Sequence, residues 1–548
     1  MTRSRHAPRL SSGFSLGGQQ AEADPLLEEA FDETNQYKAV SSRDDHRCFI
    51  IGRTGSGKSA LLRRLEYEYP DHVIRISPED LSLTYVADLQ SVRWLSEHEV
   101  HLDPFFVALW KHVLLVEIIK HRYQVDSSAG KQNFLAVLAD KLKRDKSQAE
   151  ALKYLEDFQG KFWCEADERV RQIADRFESQ INGAGSFDAK LVKASAGGGI
   201  TATQASKIEI VNRYQRIVNA TQLPRLNQMI KVLDEDILES RQNFTFIIID
   251  DLDQDWVDDS VVNALIRCLF RAVSDLQRVQ NLKVLVALRT NIFEALDFGR
   301  RTGGQEEKFR ALSMRLRWSP ADLEAMLDER VRAAAVPRDL EVATVRHLLP
   351  STTRTRGDPL AYILRRTLMR PRDAIAYLNE CLEGTVDNPR ITWERIRAAE
   401  SPYSHDRRLA LRDEWKPTYP GIDDVLSTFE GRPYKLSRAQ MSAALDDIAT
   451  LAADHAFVGT SWLCRLTAEI WNPEQSVWTD KYKDVIGLLF DIGFLGCLGA
   501  GGHPVFSYDD PDYLDRPSKL ARTTYFVVHP AFRDALDMTT LAGHRRRL

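Results

Sequence analysis

Residues 49–65 read FIIGRTGSGKSALLRRL, and this stretch decides the fold. An apolar strand leads into GRTGSGKS, which matches the pattern GxxxxGK[ST] from Gly52 to Ser59 without a gap. The residues that follow, 58–68, have the apolar spacing of an amphipathic helix. A glycine-rich loop between a strand and a helix is the P-loop arrangement that holds nucleotide phosphates. The stretch therefore predicts an α/β nucleotide-binding core.

Each residue type in this loop has a physical role. The glycines permit backbone conformations that aim successive N–H groups at an anion, and the N-terminus of the following helix adds to the positive field. Lys58 is expected to reach the β- and γ-phosphates, and the Ser59 hydroxyl is expected to ligate Mg²⁺. The predicted cofactors are therefore ATP and Mg²⁺. The predicted nucleotide-binding residues of the loop are Gly52, Arg53, Thr54, Gly55, Ser56, Gly57, Lys58, Ser59 and Ala60.

A strand is predicted over 73–80. A second buried apolar strand is predicted over 243–256, and its acidic end is the run Asp250-Asp251-Leu252-Asp253. A carboxylate at this position of a P-loop protein reaches Mg²⁺, and we assign that role to Asp250. Asp251 stands where many such ATPases carry a glutamate that polarises the attacking water, and Asp253 is a second candidate for placing water or metal. Because aspartate is shorter, the sequence predicts slow or conditional hydrolysis. Alternatively, Asp251 and Asp253 cap the next helix or lie in a solvated loop.

A third apolar strand is predicted over 281–293, where ALRTN places Arg289, Thr290 and Asn291 at the strand end. The carboxyl ends of parallel strands line the ligand crevice, so these side chains can contact the γ-phosphate. An arginine there would stabilise charge during phosphoryl transfer. The alternative is a solvated strand end.

Two further arginine positions are candidates for contact with nucleotide. Arg370-Pro371-Arg372-Asp373 opens a predicted helix, since proline suits the first helical turn. Arg370 or Arg372 could therefore fold over the nucleotide from a helical lid, unless both are surface residues. Arg310 could reach the site of a neighbouring subunit.

The composition is that of an ordinary soluble globular protein. The chain has 548 residues, 28% charged residues and a net charge of −5, a length that predicts three or four domains. The six cysteines lack CxxC spacing, so we expect reduced thiols in a cytoplasmic protein. The apolar runs 104–119 and 485–502 carry charges or glycines and are predicted to be buried helices, not membrane spans.

The fold class predicted is α/β, a P-loop NTPase core with a parallel sheet, because continuous apolar strands alternate with helices. Secondary-structure patterns add a helix at 25–36, a hairpin at 187–204 and a strand pair at 503–508 and 523–528. The predicted parts are a disordered tail (1–24), a P-loop core (25–94 and 243–318), a large mainly helical insertion (95–242), a helical lid (319–400) and a C-terminal winged-helix-like domain (420–548).

These motifs together resemble the STAND and AAA-like branch of P-loop ATPases, and within it the KAP group. The acidic run at 250–253 looks like the KAP Walker B motif, 288–293 looks like its sensor strand, and 370–373 is similar to its lid arginine motif. The resemblance implies a nucleotide-controlled switch, often in bacterial phage defence. The soluble insertion at 95–242 departs from KAP proteins, many of which carry membrane helices there.

The sequence is consistent with three functions. The leading one is a regulatory ATPase switch, acting as a homo-oligomer that controls a protein partner or effector. The second is a DNA-dependent ATPase that uses the C-terminal domain, where Arg432, Arg438 and Arg465 lie among several aspartates. The third, a small-molecule kinase, fits poorly because such enzymes are usually single domains.

Overall fold

The computed structural model describes residues 10, 13–76, 86, 89–97, 100–123, 136, 175, 176, 179, 215, 223–238, 241–250, 252, 260–296, 306–338, 340–385, 388–499 and 502–539. Most of the predicted insertion, including the hairpin at 187–204, lies outside these residues. So do Asp251 and Asp253. The chain divides into two compact units. The sheet unit comprises Asn35–Arg53 and Leu61–Leu316, and the helical unit comprises Met1–Thr34, Thr54–Ala60 and Arg317–Leu548.

The sheet unit alternates strands with helices, as the apolar runs predict. Its elements are α1 (Asn35–Ser41), β1 (Phe49–Gly52), α2 (Lys58–Glu68, whose first three residues belong to the helical unit), β2 (Val73–Ile76), α3 (Gln90–Glu97), α4 (Asp103–Tyr123), α5 (Leu223–Val232), β3 (Thr245–Ile249), α6 (Ser260–Leu276), β4 (Leu282–Arg289), α7 (Thr290–Ala295), α8 (Glu306–Ala311) and β5 (Ser313–Arg315).

The five strands form one parallel sheet in the order β2–β3–β4–β1–β5. The sequence prediction of a parallel sheet is thus confirmed. Strand β4 separates β1 from β3, and its register pairs Arg289 with Gly52. Since all strands run the same way, Gly52, Arg289 and Asp250 leave the sheet at one edge, where parallel sheets place their ligands.

Helices α4 and α6 cover the sheet with apolar side chains. Phe49 of β1 stacks on Phe270 of α6, with ring centroids 3.6 Å apart. The indole of Trp110 in α4 donates to the carbonyl of Leu265 at 2.8 Å, and buried Lys111 pairs with Asp275 at 2.5 Å. The apolar run 104–119 is therefore a core helix. Among the described residues, no helix is long and apolar enough to cross a membrane.

The helical unit contains eleven described α-helices and a second small sheet. Its elements are α9 (Pro320–Ala335), α10 (Val345–Leu348), α11 (Pro359–Leu364), α12 (Pro371–Glu383), α13 (Trp393–Ala398), α14 (Glu400–Trp415), α15 (Ile422–Ser427), β6 (Lys435–Ser437), α16 (Arg438–Leu451), α17 (Thr460–Trp471), α18 (Trp478–Asp491), β7 (Leu495–Leu498), α19 (Pro517–Arg522) and β8 (Tyr525–Val528).

Local signals explain where these helices begin. Ser319 and Asp322 form a capping box at the start of α9, which also has proline at its first position. Pro371 likewise occupies the first position of α12, as the motif at 370–373 predicts. These signals are local in sequence, which is why the helix starts could be predicted.

The C-terminal sheet differs in part from the predicted strand pair. Its order is β6–β8–β7 and its pairings are antiparallel. The strand expected at 503–508 is not formed; Val505 makes one isolated bridge to Cys497, and the partners of β8 are β6 and β7 instead. Glycines and Pro504 around this segment interrupt a regular ladder. The winged-helix assignment stays a prediction.

The N-terminal segment also differs from expectation. We expected a tail without structure over 1–24, but Leu10, Phe14 and Leu16 are buried in the core of the helical unit. The helix expected at 25–36 is not formed, because residues 25–30 are turns and the first described α-helix is Asn35–Ser41. Leu10, Phe14 and Leu16 follow neither a helical nor a strand period throughout, so this segment carries no periodic signal.

Candidate nucleotide-binding site

The P-loop backbone has the conformation that its glycines permit. Gly55 has φ +75° and Gly57 has φ +97°, both in the left-handed region that favours glycine. Helix α2 begins directly afterwards at Lys58. A Cβ at Gly55 would lie 2.9 Å from the Cβ of Arg372, so this position also lacks room for a side chain.

Three successive carbonyl groups of the loop are held by donors from the helical unit. The carbonyl of Thr54 accepts from Arg370 at 2.7 Å, that of Gly55 from the Arg372 backbone N–H at 3.4 Å, and that of Ser56 from the Trp318 indole at 2.8 Å. In contrast, the buried hydroxyls Thr54 Oγ1 and Ser56 Oγ have no hydrogen-bond partner among the described residues. Buried polar groups are normally paired, so these two hydroxyls have unused hydrogen-bonding capacity in the loop.

A cavity of about 90 Å³ adjoins the loop within the helical unit. Lys58, Ser59 and Arg372 line it, together with Gly57 and a segment that precedes the predicted core. The remaining lining residues are Gly18, Gln19, Ala21, Glu22, Asp24, Leu27, Gly55, Ala60, Arg330, Pro371 and Ile375. Lys58 and Ser59, which the sequence predicts to contact phosphate and Mg²⁺, therefore border the cavity.

The segment 16–24, which we call the strap, forms one wall of this cavity. Arg330 of α9 donates to the carbonyl of Leu16 at 2.7 Å and pairs with Asp24 at 2.6 Å. Asn379 of α12 accepts from the Leu16 N–H at 2.8 Å. Arg372 Nε donates to the carbonyl of Gln19 at 3.0 Å. The strap is thus fixed by two helices of the same unit.

The two lid arginines occupy different environments. Arg370 is buried and binds protein groups, the Thr54 carbonyl and the carboxylate of Glu414 at 2.8 Å. Burial opposes its charge, but the carboxylates of Glu414 and Asp373 outweigh that effect and raise the pKa of Arg370. Arg372 lines the cavity, and burial lowers the pKa of its guanidinium. Of these two arginines, Arg372 is therefore the one that borders the cavity.

In the sheet unit, Asp250 directly follows β3 and is 4% exposed. Arg75 of the neighbouring strand β2 lies 3.6 Å from its carboxylate and also bonds Glu66 at 3.0 Å. The carboxylate of Asp250 is a hard oxygen donor of the kind that Mg²⁺ accepts with phosphate oxygens and water. Among the described residues, no cluster of three or more His, Cys, Asp or Glu side chains could hold a metal by itself.

The other predicted site residues lie at the carboxyl end of β4 or away from it. Arg289 is the last residue of β4, and Asn291 lies in the first turn of α7; both are half-buried. Arg310 is exposed on α8. The strand expected over 281–293 thus ends at Arg289, which lies at the carboxyl end of β4 as predicted, whereas Asn291 belongs to the helix that follows.

Sequence reasoning missed three contributors to this region. Trp318 and Glu414 bind the loop backbone, and Gln19 of the strap accepts from Arg372. Glu414 accepts a hydrogen bond from the Thr54 N–H, 360 positions earlier in the sequence. Neither the type of a residue nor its spacing identifies a partner at that distance.

A model of the FunZ-associated C-terminal helical domain matches residues 321–412. The match includes Arg370 and Arg372 and ends two residues before Glu414. It spans well under half of the chain, so it identifies this helical segment alone. The KAP resemblance stays a prediction.

A curated relative, the putative transposon gamma-delta 80.3 kDa protein of Escherichia coli (strain K12), is 23% identical over 448 residues. The alignment covers 76% of this chain and 54% of the relative, so the chain spans about half the length of that protein. The Aeropyrum pernix ORC1 protein, solved in complex with DNA, aligns over 98% of this chain and 94% of that chain, with 13% identity and a TM-score of 0.29. A likeness at that TM-score carries no argument about fold or function.

Proposed function

We propose that the chain binds ATP with Mg²⁺ at the P-loop and hydrolyses it. The observation that carries this proposal is the loop itself, which has left-handed glycines at 55 and 57 and opens α2 beside a cavity lined by Lys58 and Ser59. Left-handed glycines at the start of a helix aim backbone N–H groups at an anion.

Each residue has its own role in phosphoryl transfer. Lys58 neutralises the β- and γ-phosphates, Ser59 and Asp250 hold Mg²⁺, and Arg289 stabilises charge that develops in the transition state. Asp251 and Asp253 orient the attacking water. Bound Mg²⁺ would draw charge from the phosphate oxygens, and the protein groups supply position and complementary charge.

Phosphate release measured on the full chain with Mg²⁺ and ATP tests this proposal. Lys58→Ala and Asp250→Asn are each expected to abolish turnover, because each removes a charge that faces the phosphates or the metal. Lys416→Ala is the matched control, since it removes an exposed lysine of the helical unit. Wild-type turnover in either site variant would contradict the role assigned to that residue.

We further propose that hydrolysis serves a switch, as the sequence predicted. The P-loop residues 54–60 belong to the same unit as the lid and the strap, so a ligand in the cavity would meet loop, strap and α12 together. A γ-phosphate that contacts Arg372 would favour one arrangement of these elements over another. Such a change would control a homo-oligomer or a protein partner. Phage defence stays a prediction of the sequence resemblance, because no described contact bears on it.

Limited proteolysis and oligomer size, compared between ATP and ADP, test the switch. The chain is expected to give a different cleavage pattern and a different oligomeric state with each nucleotide, and Arg372→Ala is expected to reduce that difference. Identical patterns and sizes in both nucleotides would end the switch proposal while leaving ATP binding intact.

The charges of the C-terminal domain do not favour the DNA-dependent alternative. Over residues 420–548, acidic residues outnumber lysines and arginines by 17 to 13. Arg432 pairs with Asp447, and Arg438 donates to the carbonyl of Thr523 at 2.9 Å. These two arginines serve internal contacts, whereas a DNA-binding face presents free basic side chains to phosphates. ATP turnover that rises on adding duplex DNA at low salt would revive this alternative.

A further inference from the structure

Two charged side chains enclose the peptide of Thr54 in the P-loop. Its N–H donates to Glu414 Oε1 at 3.3 Å, and its carbonyl accepts from Arg370 Nη1 at 2.7 Å. The same Arg370 nitrogen donates to Glu414 Oε2 at 2.8 Å. The three residues close a ring of hydrogen bonds, which we call the Thr54 clamp.

The clamp is built from buried charges. The side chains of Glu414 and Arg370 are each 8% exposed. Arg407 pairs with Asp373 at 2.8 Å, and Asp373 lies 3.8 Å from Arg370, so the charges continue into α12 and α14. Removing one partner of such a set leaves an uncompensated charge, which makes this geometry hard to rearrange.

The clamp and its neighbours fix the direction of the peptide groups in the loop. In a trans peptide the carbonyl and the following N–H point in opposite directions. The carbonyls of residues 54, 55 and 56 accept hydrogen bonds from Arg370, Arg372 and Trp318, respectively. These carbonyls therefore point toward their three donors. The N–H groups of residues 55, 56 and 57 are thereby turned away from these donors.

We propose that Glu414 and Arg370 are positioning residues that preorganise the P-loop for the phosphate chain, with Arg370 acting on the loop backbone and not on the γ-phosphate. This inference rests on the proposed nucleotide binding. Groups held in their bound arrangement lose less freedom on binding, so the clamp raises affinity for every nucleotide that fills the loop. ADP and ATP share the phosphates that the loop N–H groups receive, so both depend on the clamp equally.

Titration calorimetry of the full chain with Mg²⁺-ADP and Mg²⁺-ATP tests the inference. Glu414→Gln replaces one accepting oxygen of the ring by an amide donor, and Arg370→Lys keeps the buried charge but loses the planar guanidinium. Each is expected to weaken both nucleotides by the same factor, about tenfold, the ordinary effect of a lost hydrogen bond to a charged group.

Glu400→Gln is the matched control on the same helix. Glu400 also makes a part-buried ion pair, to Arg366 at 2.6 Å, and accepts from Tyr362, but it does not contact the loop. This variant is expected to lower the melting temperature and to leave both dissociation constants unchanged. Equal weakening in Glu400→Gln would show general destabilisation and overturn the positioning role.

The remaining outcomes separate the clamp from the proposed function. A wild-type chain that binds neither nucleotide contradicts nucleotide binding itself. A wild-type chain that binds both, with both clamp variants binding equally tightly, overturns the clamp alone. Loss of ATP affinity without loss of ADP affinity in Arg370→Lys would place Arg370 on the γ-phosphate, again against the positioning role.

Discussion

Arg330 and Asp24 form a buried ion pair, with a guanidinium nitrogen 2.6 Å from a carboxylate oxygen and side chains 6% and 2% exposed. The pair joins the strap to α9, 306 residues later in the chain, and the same arginine also holds the carbonyl of Leu16. Asp24 Oδ1 in turn accepts from the Gly18 N–H at 2.9 Å. The wall of the candidate site therefore depends on this contact.

Arg330→Ala is expected to release the strap. Breaking a buried pair by removing one partner costs about 3–5 kcal/mol, so amide exchange over residues 16–24 should accelerate by two orders of magnitude or more. Hydrogen exchange followed by mass spectrometry measures this. Arg332→Ala, which removes an exposed pair with Glu329 on the same helix, should leave the strap unchanged. Equal protection in Arg330→Ala would show that the pair does not anchor the strap.

Gly55→Ala is expected to weaken nucleotide binding by tenfold or more. A Cβ here meets Arg372 at 2.9 Å and adds about 1–3 kcal/mol of backbone strain at φ +75°. Gly357→Ala is the control, because Gly357 has φ +78° and no neighbour within 4 Å of a Cβ. Both variants should lose stability, and only Gly55→Ala should lose affinity for a fluorescent ATP analogue by tenfold or more. A similar affinity in both would exclude a role for the Gly55 conformation.

The features of the fold that depend on local signals could be predicted from the sequence. The parallel sheet, the loop at 52–59 and the start of α12 at Pro371 were predicted, because strand hydrophobicity and helix caps are local signals. The Thr54 clamp and the Arg330–Asp24 pair were not, because each joins residues more than 300 positions apart, and pairing at such distances is set by packing. Val505 was assigned to a strand on local apolarity, which does not determine a partner.

The buried Lys283 is expected to make stability depend on alkaline pH. Its ammonium donates to the carbonyls of Ala39 and Ser42 at 2.6 Å each, and burial lowers its pKa to about 8. Between that value and the unfolded value near 10.5, the unfolded chain binds more protons, so this group makes stability rise with pH. Below pH 8 the folded chain carries the full free-energy cost of burying the charged ammonium. Above pH 10.5 the lysine is neutral in both states, so that cost is absent.

Lys283→Met removes the titrating group. The difference in unfolding free energy between wild type and Lys283→Met should therefore shift in favour of wild type by about 3 kcal/mol from pH 8 to 10.5. Denaturant melts of both chains across this range give the difference, in which buried tyrosines and cysteines cancel. A difference independent of pH would mean that Lys283 keeps an ordinary pKa in the fold.

Direct binding of Mg²⁺-ATP, measured by titration calorimetry on the full wild-type chain, Lys58→Ala and Lys416→Ala, tests the central claim. Wild type and Lys416→Ala are expected to bind one ATP per chain with the same dissociation constant. Lys58→Ala is expected to bind at least a hundredfold more weakly, since a cation that faces two phosphates is gone. No heat of binding in the wild type, or equal affinity in Lys58→Ala, would contradict a nucleotide site at the P-loop.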